Sequence, residues 1–440
     1  MGDNQSAIAL GGFISVIALL LTDFTHLTIA AMLGALFLIL TNVMSLSEAI
    51  SYIGQSHSTL ALFFGVMVMV RAFEPTKVFD YLAVKVIRWA GGSGKFLLLG
   101  LIGLTTVVSA FLPNATTIIL LGPMIPPLAE ILWIDAVPLL ILMVITANSA
   151  GLLTLVGDLT SFLVGVHINL DFLGYLKTLS LSGVLAVGVM IPFLPWLFRD
   201  LWDKQITNLE ALPHPKINHP RILFAGCVVA VLVLGGFIIG ERLPIPVSPA
   251  MVALIGALVT LILSHHSRID TVPHILRDVD WSTLIFFMGF FVMIGSLTKT
   301  GVVTTVAGLL AGLMGSNLVL ASLILLVLTG FLSSFMPNIP LVVAMIPLVD
   351  EYVKVSNPAI DAKAYPPGVL PLFYAITIGA SLGGNGTLAG ASANIVAAGI
   401  AESHNLKITF KRFLTYGVPI TIVQILASCA YLLLFFVFQP

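Results

Sequence analysis

The chain carries one pair of polar motifs twice, about half its length apart. Ser109-Ala-Phe-Leu-Pro-Asn114 returns as Ser333-Ser-Phe-Met-Pro-Asn338, and Thr154-Leu-Val-Gly157 returns as Thr387-Leu-Ala-Gly390. In both copies the Pro-Asn motif comes first, and a stretch rich in Gly and Thr follows. All four motifs lie in strongly apolar surroundings. A duplicated apolar unit with helix-breaking polar residues at matching places is typical of a secondary transporter.

The two Pro-Asn motifs could bind an ion or an oxygen-rich solute. Proline removes a backbone donor, and the Asn side chain after it competes for backbone groups. Amide and hydroxyl oxygens at such a break could ligate an ion or hydrogen-bond an oxyanion. Turn formation alone would explain one Pro-Asn pair, but its occurrence in both halves favours a functional role. The candidate binding residues here are Asn114, Thr116, Thr117, Ser334 and Asn338.

Two longer polar stretches, 148–161 and 381–394, predict apolar helices with an unwound middle. Each would present one half-helix N-terminus, which attracts anions, and one C-terminus, which attracts cations, near the bilayer midplane. Close helix packing through small residues is the alternative explanation. The candidate binding residues here are Asn148, Thr154, Gly157, Asp158, Thr160, Ser161, Asn385, Thr387, Ser392 and Asn394.

Asp158 is the only acidic residue in either stretch. Placing an Asp within a membrane costs about 2.5–3.5 kcal/mol, so a proton or cation site is the default hypothesis. Ala391 takes the same place in the second copy, which makes any charged site asymmetric. An N-cap role for a helix at 159–166 is the alternative. We assign proton coupling to Asp158.

The composition places the chain in a bilayer and excludes several other classes. It is 58% hydrophobic and 9% charged, with a mean hydropathy of +1.10. A soluble domain carries about 25% charged residues. The net charge of −1 indicates no nucleic-acid partner. The two cysteines suggest neither a disulfide framework nor a zinc site.

No catalytic or cofactor motif is present, so we expect a protein that is not an enzyme and needs no cofactor or metal. Gly91-Gly-Ser-Gly94-Lys95 is reminiscent of a phosphate-binding loop, but Trp89 occupies the position of its first Gly and Phe96 follows the Lys. No ATP-driven step is therefore encoded in this chain.

The elements that must position these residues are membrane spans. Ten segments could cross the bilayer, at roughly 8–22, 28–42, 57–72, 136–166, 174–198, 221–240, 247–265, 282–298, 370–400 and 413–438. Two further apolar stretches, about 96–132 and 317–350, are interrupted by Pro-Asn and could each be two spans or one re-entrant hairpin. Segments 77–90 and 302–314 predict helices along the membrane surface.

Charge placement favours the hairpins and gives an orientation. With two hairpins, 14 of the 19 Lys and Arg residues fall on one side, which is then cytoplasmic, with both termini outside. Five spans per half is odd, so the two halves are inverted relative to each other. The predicted class is an all-α polytopic membrane protein with inverted-topology repeats at 1–200 and 221–440, joined by a cytoplasmic linker at 201–220. A bacterial inner membrane is the expected location.

The second polar stretch also resembles a known family. Leu382-Gly-Gly-Asn-Gly-Thr-Leu-Ala-Gly-Ala-Ser-Ala-Asn394, continued to Glu402, is similar to the C-terminal signature of the P-protein group in the ArsB/NhaD/P-protein branch of the ion transporter superfamily. The resemblance implies an inverted-repeat fold, a central site of hairpin tips and unwound helices, and secondary active transport. Members are arsenite or antimonite efflux pumps, sodium/proton antiporters, and organic or inorganic anion carriers.

Two departures from the family pattern bear on the substrate. Sodium/proton members tend to have Asp-Asn at the hairpin tips, where this chain has Pro-Asn. Relatives often read Gly-Asp-Pro-Pro-Asn in the broken helix, where this chain reads Gly157-Asp158-Leu-Thr-Ser161. The loss of both hairpin carboxylates weakens the case for a sodium site.

The first functional hypothesis is therefore efflux of arsenite, antimonite or a related small inorganic ion, coupled to the proton-motive force. A sodium/proton antiporter and an inorganic or organic anion transporter or channel are the alternatives. The expected partners are the metalloid or ion substrate, a coupling proton or sodium ion, and the lipid bilayer. A homodimer and a separate ATPase subunit encoded elsewhere stay open.

Overall fold

A computed structural model describes residues 2–21, 25–206, 208–212, 216–357 and 365–438. Parts of the predicted linker (207 and 213–215) and Lys363, one of the five cations counted outside, lie beyond the described residues. The first half contains helices α1 (Gly2–Leu21), α2 (Leu27–Leu40), α3 (Leu46–Gln55), α4 (His57–Phe73), α5 (Val78–Trp89), α6 (Gly94–Ser109), α7 (Asn114–Leu121), α8 (Ile125–Ile131), α9 (Ala136–Ala150), α10 (Leu159–His167), α11 (Phe172–Lys177), α12 (Ser180–Met190), α13 (Leu194–Leu197) and α14 (Arg199–Trp202).

In the described residues of the second half, the helices are fewer and on the whole longer. It contains α15 (Pro220–Ile239), α16 (Pro249–His266), α17 (Val272–Arg277), α18 (Trp281–Lys299), α19 (Val302–Met314), α20 (Leu318–Ser333), α21 (Asn338–Ser356), α22 (Leu370–Gly383), α23 (Ser392–Ser403) and α24 (Phe410–Phe438). The described residues form no strand, apart from a single antiparallel bridge between Ser93 and Gln205.

The predicted fold class is confirmed: an all-α polytopic membrane protein with inverted-topology repeats, two hairpins and two broken helices. Within the described residues, seven helices are long and apolar enough to cross a membrane. All seven correspond to predicted spans. The other three predicted spans correspond to α1, α2 and α22, whose apolar parts are shorter: Asn4–Leu20, Leu27–Leu40 and Pro367–Gly383. Helices α5 and α19 occupy the two segments that predicted surface helices.

Both hairpins turn at their Pro-Asn motif. Helix α6 ends at Ser109 and α7 begins at Asn114; helix α20 ends at Ser333 and α21 begins at Asn338. Pro113 adopts an extended conformation at the N-cap of α7, with φ −52° and ψ 142°. Proline suits this place because it has no backbone N–H to leave unpaired before a helix starts.

The structure divides into two compact units, and neither coincides with a sequence half. The first comprises Met1–Ala72, Ala225–Ile324 and Pro340–Phe373. In this unit α18 packs against α2 at very close range, since a Cβ on Gly289 would lie 2.9 Å from the backbone of Ala31. Small residues permit this backbone approach, as is common between membrane helices.

The second unit comprises Phe73–Phe224, Leu325–Ile339 and Tyr374–Pro440. Its centre is α9, in which every residue is buried. Asp135 caps this helix by accepting a 2.9 Å hydrogen bond from the backbone N–H of Val137. All the candidate site residues belong to this unit.

Helix α3 lies between two predicted spans and was not anticipated from the sequence. It begins with a capping box, in which Ser45 and Glu48 satisfy each other's backbone N–H groups. Lys299 lies 2.6 Å from the Glu48 carboxylate. This ion pair and the capping bonds lower the pKa of Glu48 to about 2. The amphipathic pattern of these ten residues is too short to distinguish a surface helix from a loop.

The glycine motif that is reminiscent of a phosphate loop has a structural role. Gly91 and Gly92 have positive φ angles of 59° and 85°, which turn the chain between α5 and α6. The segment after α14 returns to this corner, where Gly92 O accepts a 2.7 Å hydrogen bond from Ile206 N. A Cβ on Gly94 would lie 1.7 Å from Leu201 O. Glycine is therefore needed here for close backbone contact.

Candidate functional site

Each hairpin tip is attached to the broken helix of its own half by a serine. Ser109 Oγ lies 2.9 Å from Ala147 O and 3.2 Å from Asn114 Oδ1. In the second half Ser333 Oγ lies 2.6 Å from Ala380 O and 3.1 Å from Asn338 Oδ1. The two arrangements match atom for atom, so each Asn side chain is held beside the first half of a broken helix.

A threonine of each unwound segment makes the second attachment. Thr154 Oγ1 donates to Ala110 O in the first hairpin, and Thr387 Oγ1 donates to Ser334 O in the second. Thr154 itself is extended, with φ −137° and ψ 159°, after the single 3-10 turn that follows α9. The sequence prediction of an unwound middle is thus met in both halves, because α9 and α10, like α22 and α23, are separated by irregular backbone.

Glycine lets each Asn approach the break. A Cβ on Gly151 would lie 2.6 Å from Asn114 Oδ1 and 3.0 Å from Asp158 Cβ. A Cβ on Gly384 would lie 2.8 Å from Asn338 Oδ1 and 3.2 Å from the Ala391 side chain. The Asn, the glycine and the residue before the second half-helix therefore converge in both halves, and only the first half places an acid there.

Asp158 is buried, with 4% of its surface exposed. It occupies the N-cap position of α10, where no side-chain capping hydrogen bond is formed. Its Oδ2 atom is hydrogen-bonded to Thr160 Oγ1 and to Ser381 Oγ. Ser381 belongs to α22, so this contact joins the two halves of the chain within one unit.

Four carboxamides form a second, buried contact between the broken helices. Asn148 Nδ2 lies 3.0 Å from Asn385 Oδ1 and 3.2 Å from Asn394 Oδ1. Asn385 Nδ2 donates to Gln424 Oε1 at 3.0 Å and to Ser149 Oγ at 3.2 Å. Every amide N–H in this set is matched, whereas Asn148 Oδ1 has no partner among the described residues. A free buried acceptor of this kind can receive a donor from a bound solute or ligate a cation.

The remaining candidate residues differ in accessibility. Ser161 is buried and accepts a 2.7 Å hydrogen bond from Tyr175 Oη. Thr117 is buried with no partner for its hydroxyl among the described residues, whereas Thr116 is half-buried. Gly157 is buried against the first hairpin. In the second hairpin, Ser334 Oγ lies 3.0 Å from Gly383 O. Ser392 is exposed at the start of α23.

Sequence reasoning missed several residues that organise this site: Ser109, Ser333, Ser381, Ser149, Tyr175 and Gln424. The two hairpin serines were detectable, because both repeat at the start of the Pro-Asn motif. Gln424 gave a weaker signal as a lone amide in the apolar segment 413–438. Tyr175 gave no sequence signal, because its hydrogen bond to Ser161 depends on how the helices pack.

Replacing Gln424 with Leu should destabilise the second unit by about 2–4 kcal/mol, because several buried polar groups would lose their partners. Gln424 Nε2 donates to Ser149 Oγ at 2.8 Å and to Ala186 O at 2.9 Å. Thermal unfolding in detergent measures the change. Thr421→Val is the matched control in the same helix, because that hydroxyl bonds only to Gly417 O one turn away. Equal stability of the two variants would contradict the network's structural role.

The fold and the site together define a membrane transporter, since hairpin tips and unwound helices present polar groups inside an apolar helical protein. The chain belongs to the citrate transporter (CitMHS) family, whose model matches residues 17–367. The resemblance to the ion transporter superfamily is thereby confirmed.

Three comparisons illustrate this relationship. An uncharacterized transporter of Synechocystis sp. is 56% identical, with 96% of each chain covered. The human P protein is 29% identical over 98% of this chain and 60% of its own length. The crystal structure of the YdaH transporter of Alcanivorax borkumensis, described as having an unusual topology, superposes with a TM-score of 0.62 at 13% identity, covering 89% of this chain and 87% of that one.

Proposed function

We propose that this protein is a secondary active transporter that exports arsenite or antimonite in exchange for protons carried by Asp158. The observation that carries the proposal is a single buried carboxyl group among uncharged donors and acceptors. The acid lies beside the first hairpin tip and bonds to the second broken helix. An ionisable group at such a position is the natural carrier of a coupling proton.

The uncharged character of the site supports a metalloid hydroxide as substrate. None of the candidate residues is Lys, Arg or His, and all but Asp158 and Gly157 offer an amide or a hydroxyl group. Arsenous acid is neutral near pH 7 and carries three hydroxyl groups, each of which donates and accepts hydrogen bonds. The tip amides of Asn114 and Asn338 and the free Asn148 carbonyl match this pattern.

A carboxylate such as citrate is the second candidate, favoured by the description of the matching family. Four helices start at the Pro-Asn motifs or within the two longer polar stretches, namely α7, α10, α21 and α23. Helix N-termini attract anions through their free N–H groups and the macrodipole. An anion with several charges would need a compensating cation, since the site residues supply none.

Flux into proteoliposomes of defined orientation tests both candidates. We expect a proton gradient to drive arsenite flux, with protons moving in the direction opposite to arsenite, as read by a pH-sensitive dye inside the vesicles. Absence of arsenite and antimonite flux in the wild-type protein would contradict the substrate assignment. Citrate flux under the same gradient would support the second candidate, and sodium-dependent pH changes without added solute would support a sodium/proton antiporter.

The inner-membrane location and the external termini are part of the same proposal. They are supported by the uneven distribution of Lys and Arg. Reporter fusions at the linker and at the C-terminus provide the check, with cytoplasmic activity expected for the linker and external activity for the terminus.

A further inference from the structure

Three side-chain oxygen atoms in the second unit form a closed ring of contacts. Asp158 Oδ2 is hydrogen-bonded to Thr160 Oγ1 and to Ser381 Oγ, and the two hydroxyl oxygens lie 2.9 Å from each other. All three side chains are buried. Asp158 and Thr160 begin α10 in the first half of the chain, whereas Ser381 lies on α22 in the second half.

The number of protons in this ring indicates the state of the carboxyl group. Each of the three contacts needs one proton between its oxygen atoms, and the two hydroxyl groups supply one each. An ionised carboxylate can only accept, so it would draw both hydroxyl protons and leave Thr160 Oγ1 facing Ser381 Oγ with no proton between them. A protonated Asp158 supplies the third proton, and each oxygen atom then donates one hydrogen bond and accepts one.

We infer that Ser381 is a positioning residue that senses the proton on Asp158, and that the ring closes only when this carboxyl group is protonated. The inference rests on the proposed coupling role of Asp158. Loss of the proton removes the bond between Thr160 and Ser381 and turns both hydroxyl groups toward the carboxylate. Ser381 of α22 thus loses one of its two hydrogen bonds in this ring each time the proton leaves.

The titratable side chains around the ring do not offer another site that could hold this proton. Among the described residues, Tyr175 of α11 interacts electrostatically with Asp158, and it interacts in turn with Tyr374 of α22 and Tyr431 of α24. Tyrosine is neutral near pH 7. Tyr175 Oη donates toward Ser161 Oγ at 2.7 Å and Leu152 O at 3.0 Å, so its proton is engaged elsewhere.

The corresponding contact of the other half contains no titratable group. Asn148 lies 233 positions before Ser381, the same offset that separates Thr154 from Thr387. Asn148 joins the second half through carboxamides, whose protons are permanent. The contact made by Asn148 therefore stays the same whatever the protonation state of Asp158. The contact made by Ser381 changes when Asp158 gains or loses its proton.

Infrared spectroscopy of the purified full chain tests the inference without substrate or gradient. A protonated carboxyl group has a carbonyl stretching band that an ionised carboxylate lacks. We expect such a band at neutral pH in the wild-type protein and its loss in Asp158→Asn. We expect Ser381→Ala to shift the band, and Ser182→Ala to leave it unchanged, because Ser182 Oγ bonds only to Leu179 O in its own segment.

Transport provides the second measurement. Proton-coupled flux by Ser381→Ala should fall about tenfold, the size expected for one buried hydrogen bond to an ionisable group. Absence of an Asp158-dependent band at neutral pH would overturn the inference. It would also be overturned if Ser381→Ala changed neither the band nor the proton-coupled flux. The two proposals can also be told apart. If Ser381→Ala shifts the band but Asp158→Asn still couples flux to protons, the ring is supported and only the proposed coupling role is contradicted.

Discussion

Replacing Asp158 with Asn is expected to abolish proton movement coupled to solute flux, with a loss of roughly 100-fold or more, the scale of removing a group that transfers protons. Asn has the shape of a protonated carboxyl group but cannot release a proton. It can still pair with Thr160 and Ser381, so the ring can close and the fold should be retained. The dye signal in proteoliposomes under an arsenite gradient measures the coupled proton flux.

A matched variant separates this effect from a general loss of charge. Glu402 is an exposed carboxyl group on α23, in the same unit as Asp158, and Glu402→Gln should transport normally. The thermal unfolding midpoint of Asp158→Asn should equal or exceed that of the wild type, because a buried ionisable group is removed. If Asp158→Asn showed proton-coupled flux at the wild-type rate, Asp158 would be excluded as the proton carrier.

The repeated motifs made the positions of the hairpins and breaks predictable from the sequence. Proline and glycine act on the local backbone, so Pro113 and Pro337 indicated the turns before any tertiary contact was known. The same holds for α10, whose start directly after Asp158 follows from the polar stretch that precedes it. Local chemistry of this kind is visible in a single sequence.

Contacts between distant residues were not predictable in the same way. The approach of Ser381 to Asp158 joins side chains 223 positions apart, and the approach of Gln424 to Ser149 spans 275 positions. Serine and glutamine in apolar helices are compatible with many packing arrangements, and periodicity does not say which faces meet. The division into two units, each drawing on both halves of the chain, is also a property of packing and has no sequence signal of its own.

Gly157→Ala and Gly390→Ala are expected to separate the hairpin tips from the broken helices. A Cβ on Gly157 would lie 2.7 Å from Ser109 O, 2.8 Å from Ala110 O and 2.9 Å from Gly151 O. A Cβ on Gly390 would lie 2.9 Å from Ser333 O and 2.8 Å from Gly384 O. Backbone atoms cannot move aside as a flexible side chain can, so each methyl group should cost about 1–3 kcal/mol or more.

The cost in these two variants is steric and not conformational, because neither glycine has a positive φ angle. Matched controls exist in the same unit: a Cβ on Gly188 of α12 or on Gly399 of α23 would meet nothing within 4 Å. Alanine at these helical positions should leave stability unchanged or raise it by about 0.5–1 kcal/mol. Thermal unfolding and flux, measured together, should show losses in Gly157→Ala and Gly390→Ala but not in the controls. If Gly157→Ala kept wild-type stability and flux, the close contact between hairpin tip and broken helix would not be required for transport.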